Sequence, residues 1–323
     1  MAFFIFPALL GLNVEERNIL MEKTSIENLE IASEPSRSGV ILALAAVYSS
    51  WGSTYLAIKF ALEELPPLFM MGIRFSFFGI GFYLFLWAKG SPHPTSRQWL
   101  WSAVIGVFLM LGGSAGVAWA EQWVSSGMAA LVIATTPLWT VLFAGIWKRW
   151  PNAWEWAGLI IGLVGIVVLN FDGDLRASPL GAAALVLAAM SWAFGSALSQ
   201  NIPIPKGMMA GAAQMIAGGF IVLIVSFLIG ERITVMPTWR SISAVIYLGV
   251  FGSLIGFTSY VYLLGRVRPA LATSYAYVNP IIAVLLGIWI LGERITMIGV
   301  SAMAIIVVGV ILVAFGQRGG RSS

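Results

Sequence analysis

The sequence predicts an all-α integral membrane protein, with ten transmembrane helices arranged as a 5+5 inverted repeat. Three observations carry this. Of 323 residues, 59% are hydrophobic and only 10% charged, with a mean hydropathy of +0.91, whereas a soluble domain is about a quarter charged. The apolar runs are long and lack the alternation of strands, which excludes a barrel and leaves helices, whose backbone groups are satisfied within one segment. A sequence match at an offset of 143 residues divides the chain into two halves of five spans.

A span needs about 20 mostly apolar residues. Ten such runs lie at roughly 39–61, 68–88, 99–120, 125–147, 154–171, 179–200, 208–229, 239–262, 269–291 and 295–316. They define an N-terminal tail (1–38), a first repeat (39–171), a second repeat (179–316) and a C-terminal tail (317–323). The opening "MAFFIFPALLGLNVEER" is too short to span and has neither a basic leader nor a small-residue cleavage site, so it is a poor signal peptide. It reads either as an interfacial helix or as a stretch upstream of a start at Met21, whose "MEKTSIENLE" is an ordinary polar tail.

Orientation follows from lysine and arginine in the short loops. With the N-terminus inside, nine fall on the inner side: Lys89, Arg97, Lys148, Arg149, Lys206, Arg266, Arg268, Arg318 and Arg321. Four fall outside: Arg176, Arg232, Arg240 and Arg294. The outer loops carry acids instead, among them Glu63, Glu64, Glu121, Glu231 and Glu293. The expectation is a multi-pass protein of the cell (inner) membrane with both termini cytoplasmic. Cysteine is absent, which removes disulfides, thiol chemistry and cysteine metal sites. The one histidine, His93, sits in the loop "GSPHPTSR" and reads as solvated. No cofactor, metal site or nucleic-acid surface is expected, and the chain is taken as a monomer or homodimer in contact with lipid.

Shifted by 143, Gly106-Val107-Phe108 meets Gly249-Val250-Phe251, Gly113 meets Gly256, Ala129 meets Ala272, and Pro137 meets Pro280. "SSWGSTY" in the first span has a looser counterpart, "MSWAFGS", in the sixth, with Trp51 near Trp192. Because five is odd, the second half enters the membrane from the opposite side. Inverted halves are the architecture of many secondary transporters, with the substrate site at mid-membrane between them. Pro137 and Pro280 are read as equivalent kinks or hinges, each freeing the carbonyl four residues upstream, those of Ile133 and Ala276. Gly112/Gly116, Gly158/Gly162 and Gly252/Gly256 are read as close-packing positions rather than ligand contacts.

The candidate substrate-binding residues are polar or amphipathic aromatic groups at depth. They are Tyr48, Trp51, Ser53 and Thr54 in the first span, Trp192 and Ser196 in the sixth, Ser259 and Tyr260 in the eighth, and Ser274, Tyr275 and Asn279 in the ninth. Trp119 and Tyr262 occupy equivalent positions nearer an interface. Trp99, Trp101, Trp150, Trp154 and Trp239 are assigned to the aromatic belt. Arg74, two turns into the second span, reads as snorkelling or as paired with Glu63, Glu64 or Glu121. With no acid or histidine at mid-membrane, the pattern favours uniport or exchange over proton antiport. Such a lining suits small neutral, zwitterionic or aromatic solutes, and carbonyls freed at the prolines could receive an ammonium group.

Residues 39–316 resemble the drug/metabolite transporter superfamily, ten-span EamA type. The resemblance is carried by "WGSTYLAIKFALEELPPLFMMGIRF", by "SGMAALVIATTPLWTVLFAG" with its partner "PALATSYAYVNPIIAVLLGIWILGERIT", and by "SWAFGS". It implies a ten-helix inverted repeat, a central cavity between the halves, and efflux of metabolites; relatives export amino acids, including aromatic ones. The family's glycine-glutamate after the ninth span is present as Gly292-Glu293, while Lys148-Arg149-Trp150 stands at its first-half equivalent, so a symmetric carboxylate pair is not carried over. The small four-span relatives use a glutamate in their first helix; none stands in this first span, and proton coupling by that route is not carried over. The alternatives weighed are a proton-coupled exporter of drugs or cations and, more remotely, a membrane-embedded enzyme.

Overall fold

Helix starts leave unpaired N–H groups that lipid cannot satisfy, and this chain supplies their caps. The computed structural model describes residues 37–147, 150–169, 178–264 and 275–319. Helix α1 spans Arg37–Leu62 and α2 spans Pro67–Ala88, the latter opening on Pro66 and Pro67, where an N–H is dispensable. Helix α3 (Ser96–Ala120) opens on a capping box: Thr95 Oγ1 accepts from the Gln98 N–H at 3.3 Å and Gln98 Oε1 from the Thr95 N–H at 2.9 Å. Helix α4 spans Ser126–Trp147 and α5 spans Ala153–Leu169, the latter entered through a reciprocal Asn152–Glu155 pair at 2.8 and 3.1 Å. In the second half lie α6 (Pro179–Ser199, capped by Ser178), α7 (Met208–Leu228) and α8, which runs through Trp239–Tyr247, Leu248–Ile255 and Gly256–Leu264. Helix α9 (Tyr275–Leu286, continued by Gly287–Leu291) and α10 (Met297–Gly319) follow.

Among the described residues the fold is helical throughout, without strands. Seven helices, α1–α4 and α6–α8, are long and apolar enough to cross a membrane, and shorter apolar stretches occupy Ala153–Gly165, Val278–Leu291 and Met297–Val313. The exterior is apolar, with Phe77, Phe85, Phe227 and Trp289 exposed, as expected where lipid is the solvent. Trp150, Trp154 and Trp239 are exposed as well. His93 is exposed, as expected, and its Nδ1 also pairs with the Tyr83 hydroxyl at 2.6 Å. The predicted Ser274, the charges Lys148, Arg149, Arg176, Arg266, Arg268 and Arg321, and the N-terminal segment lie outside the described residues.

Helix α2 packs along α7 and α5 along α10, while α1 sits against α8 and α9 and α6 against α3 and α4. Exchanging each helix for the one five places away maps this pattern onto itself. In lipid no hydrophobic force drives helices together, so close backbone approach must do the work. Between α5 and α10, a Cβ on Gly309 would come within 2.7 Å of the Gly158 carbonyl oxygen and of the Gly162 nitrogen. Between the halves, the Trp192 indole lies 2.8 Å from where a Gly113 Cβ would stand, and the Trp51 indole covers Gly256 in the same way. Gly113 and Gly256 are partners under the 143 shift, so each half seats its tryptophan on the other half's glycine.

Both of those glycine helices contain a π-helical stretch, Val107–Ala115 in α3 and Leu248–Ile255 in α8, that widens the turn at mid-helix. The predicted proline pair behaves asymmetrically. Helix α4 breaks between Ile133 and Thr136, and Pro137 sits in the first turn after the break. The carbonyl of Ile133, expected to be free, accepts from Thr136 Oγ1 at 2.6 Å, and that of Val132 from Thr135 Oγ1 at 2.6 Å. The Ile133 carbonyl is therefore not bare, contrary to expectation, and has one lone pair left for a further donor. Pro280, in contrast, lies inside an unbroken helix.

Gly309→Ala should lower the thermal unfolding midpoint of the detergent-solubilised protein, by an overpacking penalty of about 1–3 kcal/mol. Gly81→Ala, where a Cβ would meet nothing within 4 Å, should leave it unchanged.

Candidate functional site

A cavity of about 160 Å³ lies between the halves, lined by residues from α1–α4 and α6–α9. Trp51, Thr54, Trp192, Tyr275 and Asn279 of the sequence-predicted set line it, and both Pro137 and Pro280 reach its wall. Tyr48, Trp119, Ser196 and Tyr260 do not. Tyr260 backs the wall, its ring 5.3 Å from Trp51 and 5.6 Å from Tyr275, and these two are 4.7 Å apart edge to face. Three aromatic rings from α1, α8 and α9 thus form one cluster, fixed by a Trp51 Nε1–H bond to the Gly252 carbonyl at 3.0 Å. Trp119 packs against Trp123 at 4.5 Å, away from the cavity. Gly252, read as a packing position, is itself part of the wall, as is Gly113.

The rest of the wall is apolar and pliable: Met71, Met110, Met215, Phe75 and Phe257. Methionine adapts to irregular guests. Sequence reasoning missed these because a methionine facing a cavity and one facing lipid look alike in the chain. It also misplaced Arg74. That side chain is only 7% exposed and lines the cavity. Its Nε–H donates to Ser253 Oγ at 3.0 Å, its Nη1 approaches Met71 Sδ at 3.5 Å, and its Cζ lies 4.8 Å over the Phe75 ring. The pairing with Glu63, Glu64 or Glu121 is corrected: among the described residues the one ion pair is Arg240–Glu63, at 3.2 Å.

At one end of the bundle the halves are tied by carboxylates on helix N-termini. Helix α9 ends at Gly292 in the left-handed region (φ 67°), which L side chains rarely adopt. The reversal delivers Glu293 to α4, where it accepts from the Ser126 N–H at 2.8 Å, Ser126 Oγ at 2.9 Å and the Gly127 N–H at 3.2 Å. Helix α7 ends the same way at Gly230 (φ 79°), and Glu231 accepts from the Leu68 and Phe69 N–H groups of α2 at 3.2 and 2.8 Å. The motif Gly-Glu-Arg-Ile-Thr occurs at both places, 230–234 and 292–296, a repetition visible in the chain but off the 143 offset. In return Glu64 of the first half accepts from the Thr238 N–H at 2.6 Å and its hydroxyl at 2.9 Å, at the start of α8. At the same end Lys59 Nζ donates to the Glu121 carbonyl oxygen at 2.5 Å, and the Glu121 side chain is wholly buried.

The EamA-like transporter family matches residues 37–171 and again 179–315. The chain belongs to the EamA-like transporter family. It is 45% identical to the uncharacterized inner membrane transporter YedA of Escherichia coli K12 over 276 residues, covering 85% of this chain and 90% of the relative. The uncharacterized transporter YoaV of Bacillus subtilis is 23% identical over 288 residues (85% and 97%), and PagO of Salmonella typhimurium 26% over 273 residues (81% and 88%). A solved crystal structure aligns with a TM-score of 0.62 at 21% identity, covering 88% of this chain and all of the other, so the two share a fold.

The Thr238 N–H bond holds the Glu64 carboxyl below its ordinary value of 4.5, with Ser241 and Arg240 adding to it. The folded form's affinity for the ionised group makes this tie complete above that value and lost as pH falls through the lowered one. Glu64→Gln should therefore lower the thermal midpoint at neutral pH and flatten the acid limb, so that variant and parent converge in acid.

Proposed function

We propose that this chain is a secondary transporter of ten spans in a 5+5 inverted repeat, with both termini cytoplasmic. It moves a small neutral, zwitterionic or aromatic metabolite, amino acids included, out of the cell by alternating access. The observation that carries the reading is the chamber between the halves, walled by Trp51 and Trp192 on matching glycines and by Pro137 and Pro280 on matching helices. Helix pairings that exchange under a five-place shift supply the near-equivalence such rocking needs. In this reading the end tied by Glu64, Glu231 and Glu293 faces outward and is closed. Opening it exchanges helix caps for water, and the opposite end closes in turn.

A second reading, proton-coupled export, rests on Glu121. Its two carboxyl oxygens are buried without a hydrogen-bond partner among the described residues, with Lys59, Glu293 and Tyr55 as its ionisable neighbours. A carboxylate so placed is costly unless it gains a proton or a partner. The sequence suggested no such group because Glu121 stands at a helix end.

Purified protein in proteoliposomes should show saturable uptake and counterflow of labelled amino acids or aromatic metabolites. Trp192→Ala or Asn279→Ala should reduce that flux about tenfold, each removing a wall contact. Absence of saturable flux across the panel would sink the transport reading. If flux depends on a pH gradient and Glu121→Gln abolishes that dependence alone, the second reading replaces the first.

A further inference from the structure

Among the described residues Arg74 is a cation without a counter-ion. Its protein neighbours are a hydroxyl, a thioether and an aromatic face, all neutral. The described carboxylates are committed elsewhere: Glu63 to Arg240, Glu64 to α8, Glu155 to Asn152, Glu231 to α2 and Glu293 to α4. Glu121 lies beyond ion-pair range of it. A charge at this depth is expensive, and a buried ion keeps its place only with good partners. Arginine presents five N–H donors in a planar fork matched to a carboxylate. Two of its nitrogens meet protein acceptors here, and Nη2 has none among the described residues. That nitrogen lies against Gly252, where a Cβ would come within 2.7 Å of it. The glycine leaves this edge of the guanidinium bare on the cavity wall.

We infer that Arg74 is the anion-recognition point of the cavity, and that the transported solute carries a carboxylate on an apolar or aromatic body. This deepens the transport reading and rests on it. The body would lie among Met71, Met110, Met215, Phe75, Phe257 and Trp192, all of which line the same cavity. A volume of about 160 Å³ is close to that of engineered apolar cavities that take up benzene, so a single ring with a short acidic arm fits. The lining and the guanidinium together disfavour cations, which would meet the positive end of the site without a compensating acid.

The test compares three probes of one shape: 3-phenylpropionate, 3-phenylpropanamide and 3-phenylpropylammonium. Each is titrated into the purified full-length protein, read by tryptophan fluorescence and by thermal shift. The carboxylate should bind at least about thirtyfold more tightly than the amide or the amine, as expected for a desolvated charge pair. Arg74→Gln should erase that preference, Arg74→Lys should retain part of it, and Gly252→Ala should weaken it by crowding Nη2. Should Arg74→Gln fail to fold, Gly252→Ala decides the matter: a weakened preference upholds the inference and an undiminished one overturns it. Equal binding of the three probes, preference for the amine, or an undiminished preference in both Arg74→Gln and Gly252→Ala would overturn the inference. Flux in proteoliposomes separates the two claims. Saturable flux indifferent to Arg74 refutes the anion point and leaves the transporter, whereas Arg74-dependent binding without flux refutes the transporter and leaves the anion point.

Discussion

A bilayer offers no water to the unpaired N–H groups at a helix start, and the rest of this structure depends on how that demand is met at one end of the bundle. Two helices of the second half stop on a glycine in the left-handed region, and the next residue, a glutamate, reaches across to cap a helix of the first half. Glu64 performs the reverse service for α8. A carboxylate on a helix N-terminus gains from both hydrogen bonds and dipole. The ties are therefore firm, yet each can be replaced by solvent at the membrane edge. They hold the halves in register without filling the space between them.

That space is where the packing changes character. At the α5–α10 contact, glycines bring backbones to touching distance and nothing else fits. Toward the centre, the tryptophans replace such contacts: Trp51 and Trp192 lie on the opposing glycines of α8 and α3, beside π-helical stretches that distort the regular turn. The chamber thus follows from two large side chains placed on two small ones, with pliable methionines completing the wall. Arg74, the one cation among the described residues that line it, gives it a charged end.

Much of this was legible in the chain. Helix positions follow from apolar runs, and the halves follow from glycines and prolines in step at one offset. Trp51, Trp192, Tyr275 and Asn279 were found because polar or aromatic residues deep in an apolar run are costly anywhere but at a wall or a contact. What escaped depended on the facing of individual residues. Arg74 on a helix reads the same whether it snorkels or points inward, and only the packing of α2 on α7 and α8 turns it toward the cavity. Pro137 and Pro280 looked equivalent, but Thr135 and Thr136 supply hydroxyls that let α4 break, and Asn279 precedes Pro280 without doing so. The twin Gly-Glu-Arg-Ile-Thr segments went unread because they do not obey the repeat offset; they are alike for capping, not by position in the halves.

Alternating access through the chamber requires the two halves to lie in opposite senses around it. The chain contains no cysteine, so single cysteines can be placed without a background. Gln122 and Gly265 are partners under the 143 shift. Impermeant maleimide applied to intact cells should label a cysteine at 122 and spare one at 265 until the membrane is opened. Labelling of both from the same side would contradict the inverted arrangement and the chamber built on it.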